Sequence, residues 1–132
     1  MEDINKQYTI LIADDEQEVL ALYRIKLKQA GFNIITASNG REAIEMAKMH
    51  LPSLILLDMK MPEVDGITAL HSLKESEDTK KIAVVFVTAF SDINVTDINH
   101  EFAEDKGALG YIKKGISLDE FVREVESYIK KI

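Results

Sequence analysis

The sequence contains no cysteine, so neither a disulfide framework nor a thiolate metal site can contribute to its fold or chemistry. Such a chain works unchanged in a reducing compartment, and a cytoplasmic location is expected. Long apolar runs are missing too. The longest, residues 82–87, is far short of the roughly 20 residues a membrane-crossing helix needs. Residues 1–8 lack the basic-then-apolar pattern of an export signal, so a soluble protein without membrane insertion is expected. Nor is there an excess of positive charge. With 16 Lys and Arg against 23 Asp and Glu, the formal net charge of −7 repels nucleic acid, and direct nucleic-acid binding is not expected. No repeat, low-complexity segment or linker interrupts the 132 residues, and 46% hydrophobic with 30% charged residues suits one globular domain.

What is present is an alternation. Residues 9–13, 33–37, 54–57, 82–87 and, more weakly, 109–112 are short apolar runs rich in branched side chains, each followed by polar or turn-forming residues. They are predicted strands. Between them lie helical patterns. Residues 16–30 place Val19, Leu22, Tyr23, Leu27 and Ala30 at helical spacing before Gly31, and residues 41–50 place Ala43, Ile44 and Ala47 on one face before Pro52. Residues 65–73 and 96–106 continue the alternation. Ser117 with Glu120 forms a capping-box signature ahead of a stripe of Leu118, Phe121, Val122, Val125 and Ile129. Five strands alternating with five helices predict an α/β fold, because parallel neighbours need crossover connections that cover both sheet faces.

In open parallel sheets, sites form at the carboxyl ends of the strands. Here the first strand ends in Asp14-Asp15 and the third in Asp58, so the fold can gather three carboxylates in one crevice. Two unit charges about 4 Å apart interact by roughly 4 kcal/mol at an effective dielectric near 20, so such a cluster calls for a cation. Mg²⁺ suits it, being an oxygen-seeking ion held by one or two carboxylates plus a phosphate. The fourth strand ends in Thr88-Ala89 and the fifth leads to Lys113-Lys114, adding a hydroxyl and an ammonium at the same edge. A carboxylate so placed can act as a nucleophile towards phosphorus, with the cations offsetting the added charge.

In order along the chain, Ile12-Ala13-Asp14-Asp15-Glu16, Leu56-Leu57-Asp58-Met59-Lys60-Met61-Pro62, Asp65-Gly66, Thr88-Ala89 and Gly107-Ala108-Leu109-Gly110-Tyr111-Ile112-Lys113-Lys114 strongly resemble the two-component response-regulator receiver family, the CheY-like family. The resemblance spans nearly the whole chain. It implies a flavodoxin-like, doubly wound (βα)5 fold with strand order 2-1-3-4-5. It further implies a single receiver domain over residues 1–132, with a core from about 8 to 131 and no output domain. By the same resemblance Asp58 is the phosphoacceptor. Asp14, Asp15, Asp58 and the backbone carbonyl of Lys60 hold Mg²⁺. Thr88 is the switch hydroxyl, Tyr111 the aromatic residue whose orientation follows it, and Lys114 rather than Lys113 the phosphate-binding lysine.

The implied partners are a sensor histidine kinase or histidine phosphotransfer protein as donor and a protein effector. The effector would read the face built from the fourth helix, fifth strand and last helix, and a phosphorylation-dependent dimer is a further implied assembly. The protein would then be a switch and not an enzyme.

Two departures from the family pattern stand out. Proline normally follows the lysine through a cis bond, whereas Gly115 follows Lys114. A cis bond without proline costs about 2.5–4 kcal/mol, so a trans Lys114–Gly115 bond is predicted. Between Thr88 and Gly107 lie 18 residues, enough over the family's usual length for one more helical turn and an altered choice of partner. In similar proteins the positions of Phe90 and Lys60 influence water's access to the acyl phosphate, and the Phe90 ring can orient no attacking water, so slow dephosphorylation is expected.

Each residue also has a plainer explanation. Asp14-Asp15 can cap the first helix, Asp58 can open a turn, Thr88 can satisfy a strand end, and Lys114 and Tyr111 can be ordinary surface and half-buried residues. His50, His71 and His100 lack ligand spacing. Competing functions are a phosphorylation-independent pseudo-receiver that only binds proteins, a flavin carrier and a phosphohydrolase. The acidic turn at Asp14-Asp15-Glu16 opposes a flavin phosphate, and Lys60 stands where the hydrolase needs a second acid.

Overall fold

A computed structural model describes residues 2–89 and 107–132, with the backbone alone at residues 2 and 3. The apolar runs form five parallel strands: β1 Thr9–Ala13, β2 Asn33–Ala37, β3 Leu54–Asp58, β4 Ala83–Thr88 and β5 Gly110–Lys113. Their order is β2-β1-β3-β4-β5, as the resemblance implied, with Ile10 opposite Leu54, Leu54 opposite Ala83 and Val85 opposite Gly110.

Because side chains alternate along a strand, each strand feeds two cores. Leu11, Ala13, Ile55, Leu57, Val84 and Phe86 face one layer, covered by α3 (Gly40–His50) and α4 (Gly66–Glu75). Ile10, Ile12, Leu54, Leu56, Val85, Val87 and Ile112 face the other, covered by α2 (Gln17–Gln29) and α5 (Leu118–Ile129). Both faces being buried explains why the strands read as continuous apolar runs. Full burial of each such side chain stabilises by roughly 1.5–3 kcal/mol, so the central strands dominate the core.

The helix stripes differ from expectation in two places. In α2 the buried residues are Leu20, Tyr23 and Leu27, whereas Leu22 is 51% exposed. A residue adjacent to Tyr23 is turned about 100° from it around the helix, which carries Leu22 off the stripe. In α5 the buried set is Phe121, Val125, Tyr128 and Ile129, so Tyr128 joins the predicted stripe. Ser117 caps α5 as anticipated, its Oγ accepting the Glu120 N–H at 3.1 Å. Tyr23 and Phe121 stack with centroids 4.0 Å apart, which binds α2 to α5.

A short helix α1, Glu2–Asn5, was not anticipated, since it has no apolar periodicity. It is held by Asn5, whose amide donates to the Ala30 carbonyl at 2.6 Å and to Glu126 at 3.3 Å. The expected helix over residues 96–106, together with Phe90 and His100, lies outside the described residues.

Candidate functional site

β3 and β4 each run one residue further than expected, so Asp58 and Thr88 are the last residues of their strands. Both are buried, as is Asp14, which directly follows β1. Three strand ends therefore present polar groups from inside the apolar sheet at one edge. What fixes Asp58 is the chain that follows it. The Lys60 N–H donates to Asp58 Oδ1 at 3.3 Å, and the Gly66 N–H donates to the Met59 carbonyl at 2.9 Å. Gly66 must be glycine for this approach, because a Cβ there would lie 2.3 Å from the Asp58 carbonyl oxygen. Asp65 starts α4 by accepting the Thr68 N–H at 2.8 Å, which aims the helix away from the strand end.

Lys114 closes the crevice. Its backbone N–H donates to the Thr88 carbonyl at 2.9 Å, extending the β4–β5 ladder by one residue. Its ammonium stands 3.0 Å from Asp58 Oδ2, 3.2 Å from Asp14 Oδ2 and 3.5 Å from Glu16 Oε1. Asp14 Oδ1 accepts the Glu16 N–H at 2.9 Å. The plainer reading of this acid as a helix cap therefore fails. Glu16 is the N-cap of α2, with no side-chain cap bond, while Asp14 is turned towards Lys114.

The electrostatics follow from burial. Burial pushes the Asp58 carboxyl up to about 6, opposed by the Lys114 hydrogen bond and reinforced by the charge of Asp14. Asp14 is raised as well, again by burial, against the pull of the Glu16 N–H and Lys114. Burial lowers the Lys114 ammonium, but the hydrogen bonds and charges of Asp58 and Asp14 together outweigh it, and its pKa lies above the ordinary lysine value. One cation thus serves two buried carboxylates, and a second would relieve the site further.

The donors for such an ion are at hand. Carboxylate oxygens of Asp14, Asp15 and Glu16 lie within 4.8 Å of one another, with Asp15 and Glu16 exposed to solvent. An all-oxygen set open to water fits a hard divalent ion that keeps part of its hydration shell. Glu16 was not among the anticipated ligands, although its place directly after Asp14-Asp15 was a signal for it. Asp58 is not in that trio and joins it through Lys114. The side chain of Lys60 is exposed.

Thr88 lies at the crevice, its Oγ1 donating to the Ala89 carbonyl at 3.2 Å and not to Asp58. Tyr111 lies further off, half-buried on β5 against the layer of α3 and α4. Among the described residues every peptide bond is trans, so Lys114–Gly115 is trans as predicted, and Gly115 has φ +93°, a value open to glycine.

Residues 10–126 match the model of the response regulator receiver domain. The chain belongs to that family. The polar-differentiation response regulator DivK of Brucella anthropi is 32% identical over 121 residues, covering 92% of this chain and 95% of DivK. Among solved structures, the receiver domain of the Francisella response regulator 1452 superposes with a TM-score of 0.81 at 25% identity, covering 94% of this chain and 98% of that one. The receiver domain of a histidine kinase from Syntrophus aciditrophicus gives 0.80 at 26% identity, covering 95% and 92%. The receiver domain is thus the signalling module of two-component systems, a switch rather than an enzyme of the usual kind. Receiver domains work with histidine kinases or phosphotransfer proteins and with effectors. Among the described residues no helix is long and apolar enough to cross a membrane.

Proposed function

We propose that this receiver domain accepts a phosphoryl group on Asp58 and thereby switches the surface it offers to a protein effector. The observation that carries the reading is the Asp58 carboxylate, 1% exposed at the end of β3, with Lys114 Nζ at 3.0 Å and the acid trio of Asp14, Asp15 and Glu16 beside it. An Asp58 oxygen attacks the phosphorus of a phosphohistidine donor. A P–O bond forms as the P–N bond breaks, and the released electron pair stays on the imidazole, which takes up a proton from solvent. Lys114 is already charged and aimed at Asp58, so it offsets the dianion on the product without reorganising.

Asp14 and Asp15 would hold Mg²⁺, with Glu16 near and the Asp58 side chain and Lys60 carbonyl completing the protein ligands. When bound, the ion supplies positive charge to the acids and to the incoming phosphoryl oxygens. Thr88, whose hydroxyl rests on the Ala89 carbonyl, would turn to the phosphoryl group, and Tyr111 would follow it. The donor is a sensor histidine kinase or a histidine phosphotransfer protein. Residues 1–132 act as one cytoplasmic receiver domain, and the effector reads a face that includes β5 and α5.

The test is intact mass of wild type and Asp58→Asn after incubation with acetyl phosphate, with Mg²⁺ and with excess chelator. A single phosphoryl adduct that requires both Mg²⁺ and Asp58 is expected. Its absence, with the fold intact and transfer from a phosphohistidine donor also negative, would leave a protein-binding pseudo-receiver.

A further inference from the structure

Among the described residues β5 is an edge strand, with β4 on one side and no strand on the other. Along a strand, the N–H and C=O of one residue point to the same side, so on an edge strand every second residue turns both groups away from the sheet. At Tyr111 both groups are taken by one side chain. The Tyr128 hydroxyl accepts the Tyr111 N–H at 3.1 Å and donates to the Tyr111 carbonyl at 3.0 Å. A phenol from α5 thus stands in for the hydrogen-bond pair of a missing neighbour strand.

Two further features make this a built contact. Tyr128 is 4% exposed within the α2/α5 layer, so its ring has little freedom to leave. Gly110, the residue before Tyr111, has no Cβ to obstruct it. A Cβ there would meet the Tyr128 hydroxyl oxygen at 2.3 Å and its ring carbons at 2.7 Å. The glycine and the tyrosine fit each other across 17 residues of chain.

We propose that Tyr128 is a positioning residue of the phosphorylation switch: its hydroxyl pins the Tyr111 backbone from the α5 side, so that an event at Asp58 moves the Tyr111 side chain without loosening β5. The Tyr111 side chain packs, half-buried, on the opposite face of the sheet, against the layer that Phe86 also faces. The same short strand carries Lys113 and leads to Lys114, whose backbone is fixed to Thr88 and whose ammonium is fixed to Asp58. One hydroxyl therefore steadies the segment that connects the reacting carboxylate with the expected reporter aromatic. The proposal rests on the reading of Asp58 as the phosphoacceptor.

The experiment compares ¹⁵N-labelled wild type, Tyr128→Phe and Gly110→Ala. Each is treated with Mg²⁺ and beryllium fluoride, a stable mimic of the acyl phosphate, and separately with Mg²⁺ and acetyl phosphate for intact mass. In wild type the expected results are a one-phosphoryl adduct and a mimic-induced shift of the Tyr111 amide resonance. In Tyr128→Phe the adduct should form at a rate within about twofold of wild type. Its Tyr111 amide should exchange with solvent at least tenfold faster, and the mimic-induced shift there should fall to less than half.

Gly110→Ala retains the phenol but displaces it and should behave the same way, which keeps the test open if Tyr128→Phe fails to fold. Lower melting temperature in either variant, with Tyr111 exchange and shift as in wild type, would mean a purely structural contact and would overturn the proposal. A wild type that takes neither phosphate nor its mimic would instead bring down the phosphoacceptor reading on which it stands.

Discussion

Lys114 and Asp58, 56 residues apart in sequence, meet at 3.0 Å in a crevice where the aspartate is 1% exposed. Asp14 shares the same ammonium at 3.2 Å, so removing it would leave two buried carboxylates facing each other. Breaking a buried pair from one side costs about 3–5 kcal/mol. Lys114→Met should fall near the lower end of that range at pH 7.5, because the crevice opens to water. The loss should shrink at pH 4.5, where the acids take up protons. Urea unfolding with chelator present at the two pH values checks this, and an equal loss at both would remove the electrostatic explanation.

Asp58→Asn should act in the opposite direction. Burial holds the Asp58 carboxyl at about 6 in the folded state, above its ordinary value of 3.8. Between these values the folded state binds more protons than the unfolded one, so stability falls as pH rises through that window. Above it the ionised carboxylate is a net burden, on the order of 1–3 kcal/mol. The amide substitution removes that burden while Asp14 keeps Lys114 paired. In metal-free buffer Asp58→Asn should therefore melt higher than wild type at pH 7.5 and level with it near pH 3.5. A lower melting temperature at neutral pH would show that the Lys114 contact outweighs burial.

Mg²⁺ should stabilise the protein through the same acids. An ion that binds only the folded state adds about 2.7 kcal/mol at a concentration 100 times its dissociation constant. Asp15→Asn is the informative variant, since Asp15 is exposed and the change should scarcely affect metal-free stability. The melting temperature of wild type should climb with Mg²⁺, and that of Asp15→Asn should need a higher concentration for the same rise. Parallel titration curves would exclude Asp15 as a ligand.

Much of this was readable in advance, and the reason is periodicity. A parallel strand buried on both faces is a short apolar run, and its carboxyl end is where polarity resumes, so Asp14, Asp58 and Thr88 announced themselves as strand termini. Lys114 was placed by its distance from Gly107 within a familiar motif. What stayed hidden has no period. Glu16 looked like the start of a helix, because nothing local shows that its carboxylate reaches Lys114. Tyr128 was left out of the α5 stripe although its spacing from Phe121 and Val125 fits it, and only its hydroxyl contact with a strand 17 residues away is without a period. Leu22 was read into the α2 stripe on its spacing, but it lies at the stripe's margin and turns outward.

Gly66 shows how a small residue can serve the site from a distance. Alanine there would bring a Cβ to 2.3 Å from the Asp58 carbonyl oxygen and 2.7 Å from Met59 Cα, both backbone atoms that cannot swing aside. Either α4 retreats or the segment after β3 moves, and Asp58 moves with it. Overpacking of this kind costs about 1–3 kcal/mol. Gly66→Ala should lower the melting temperature and slow adduct formation on Asp58 by more than stability alone explains. A slower reaction that recovers fully on adding a stabilising osmolyte would reduce the effect to folding.

Gly115 isolates a backbone question, because a Cβ at this position meets nothing within 4 Å. Its φ of +93° alone penalises other residues. Alanine must hold a conformation that L side chains rarely adopt, at about 1–3 kcal/mol. Proline, the residue the family usually carries here, fixes φ near −65° and cannot hold it at all. The expected order of melting temperatures is wild type, then Gly115→Ala, then Gly115→Pro. Because Lys114 immediately precedes this turn, the proline variant should also form the Asp58 adduct more slowly, as its ammonium loses alignment. Should Gly115→Pro instead match or exceed wild type in stability and rate, the loop would have a second, proline-compatible path of similar energy, and the glycine turn would not be what holds Lys114 in place.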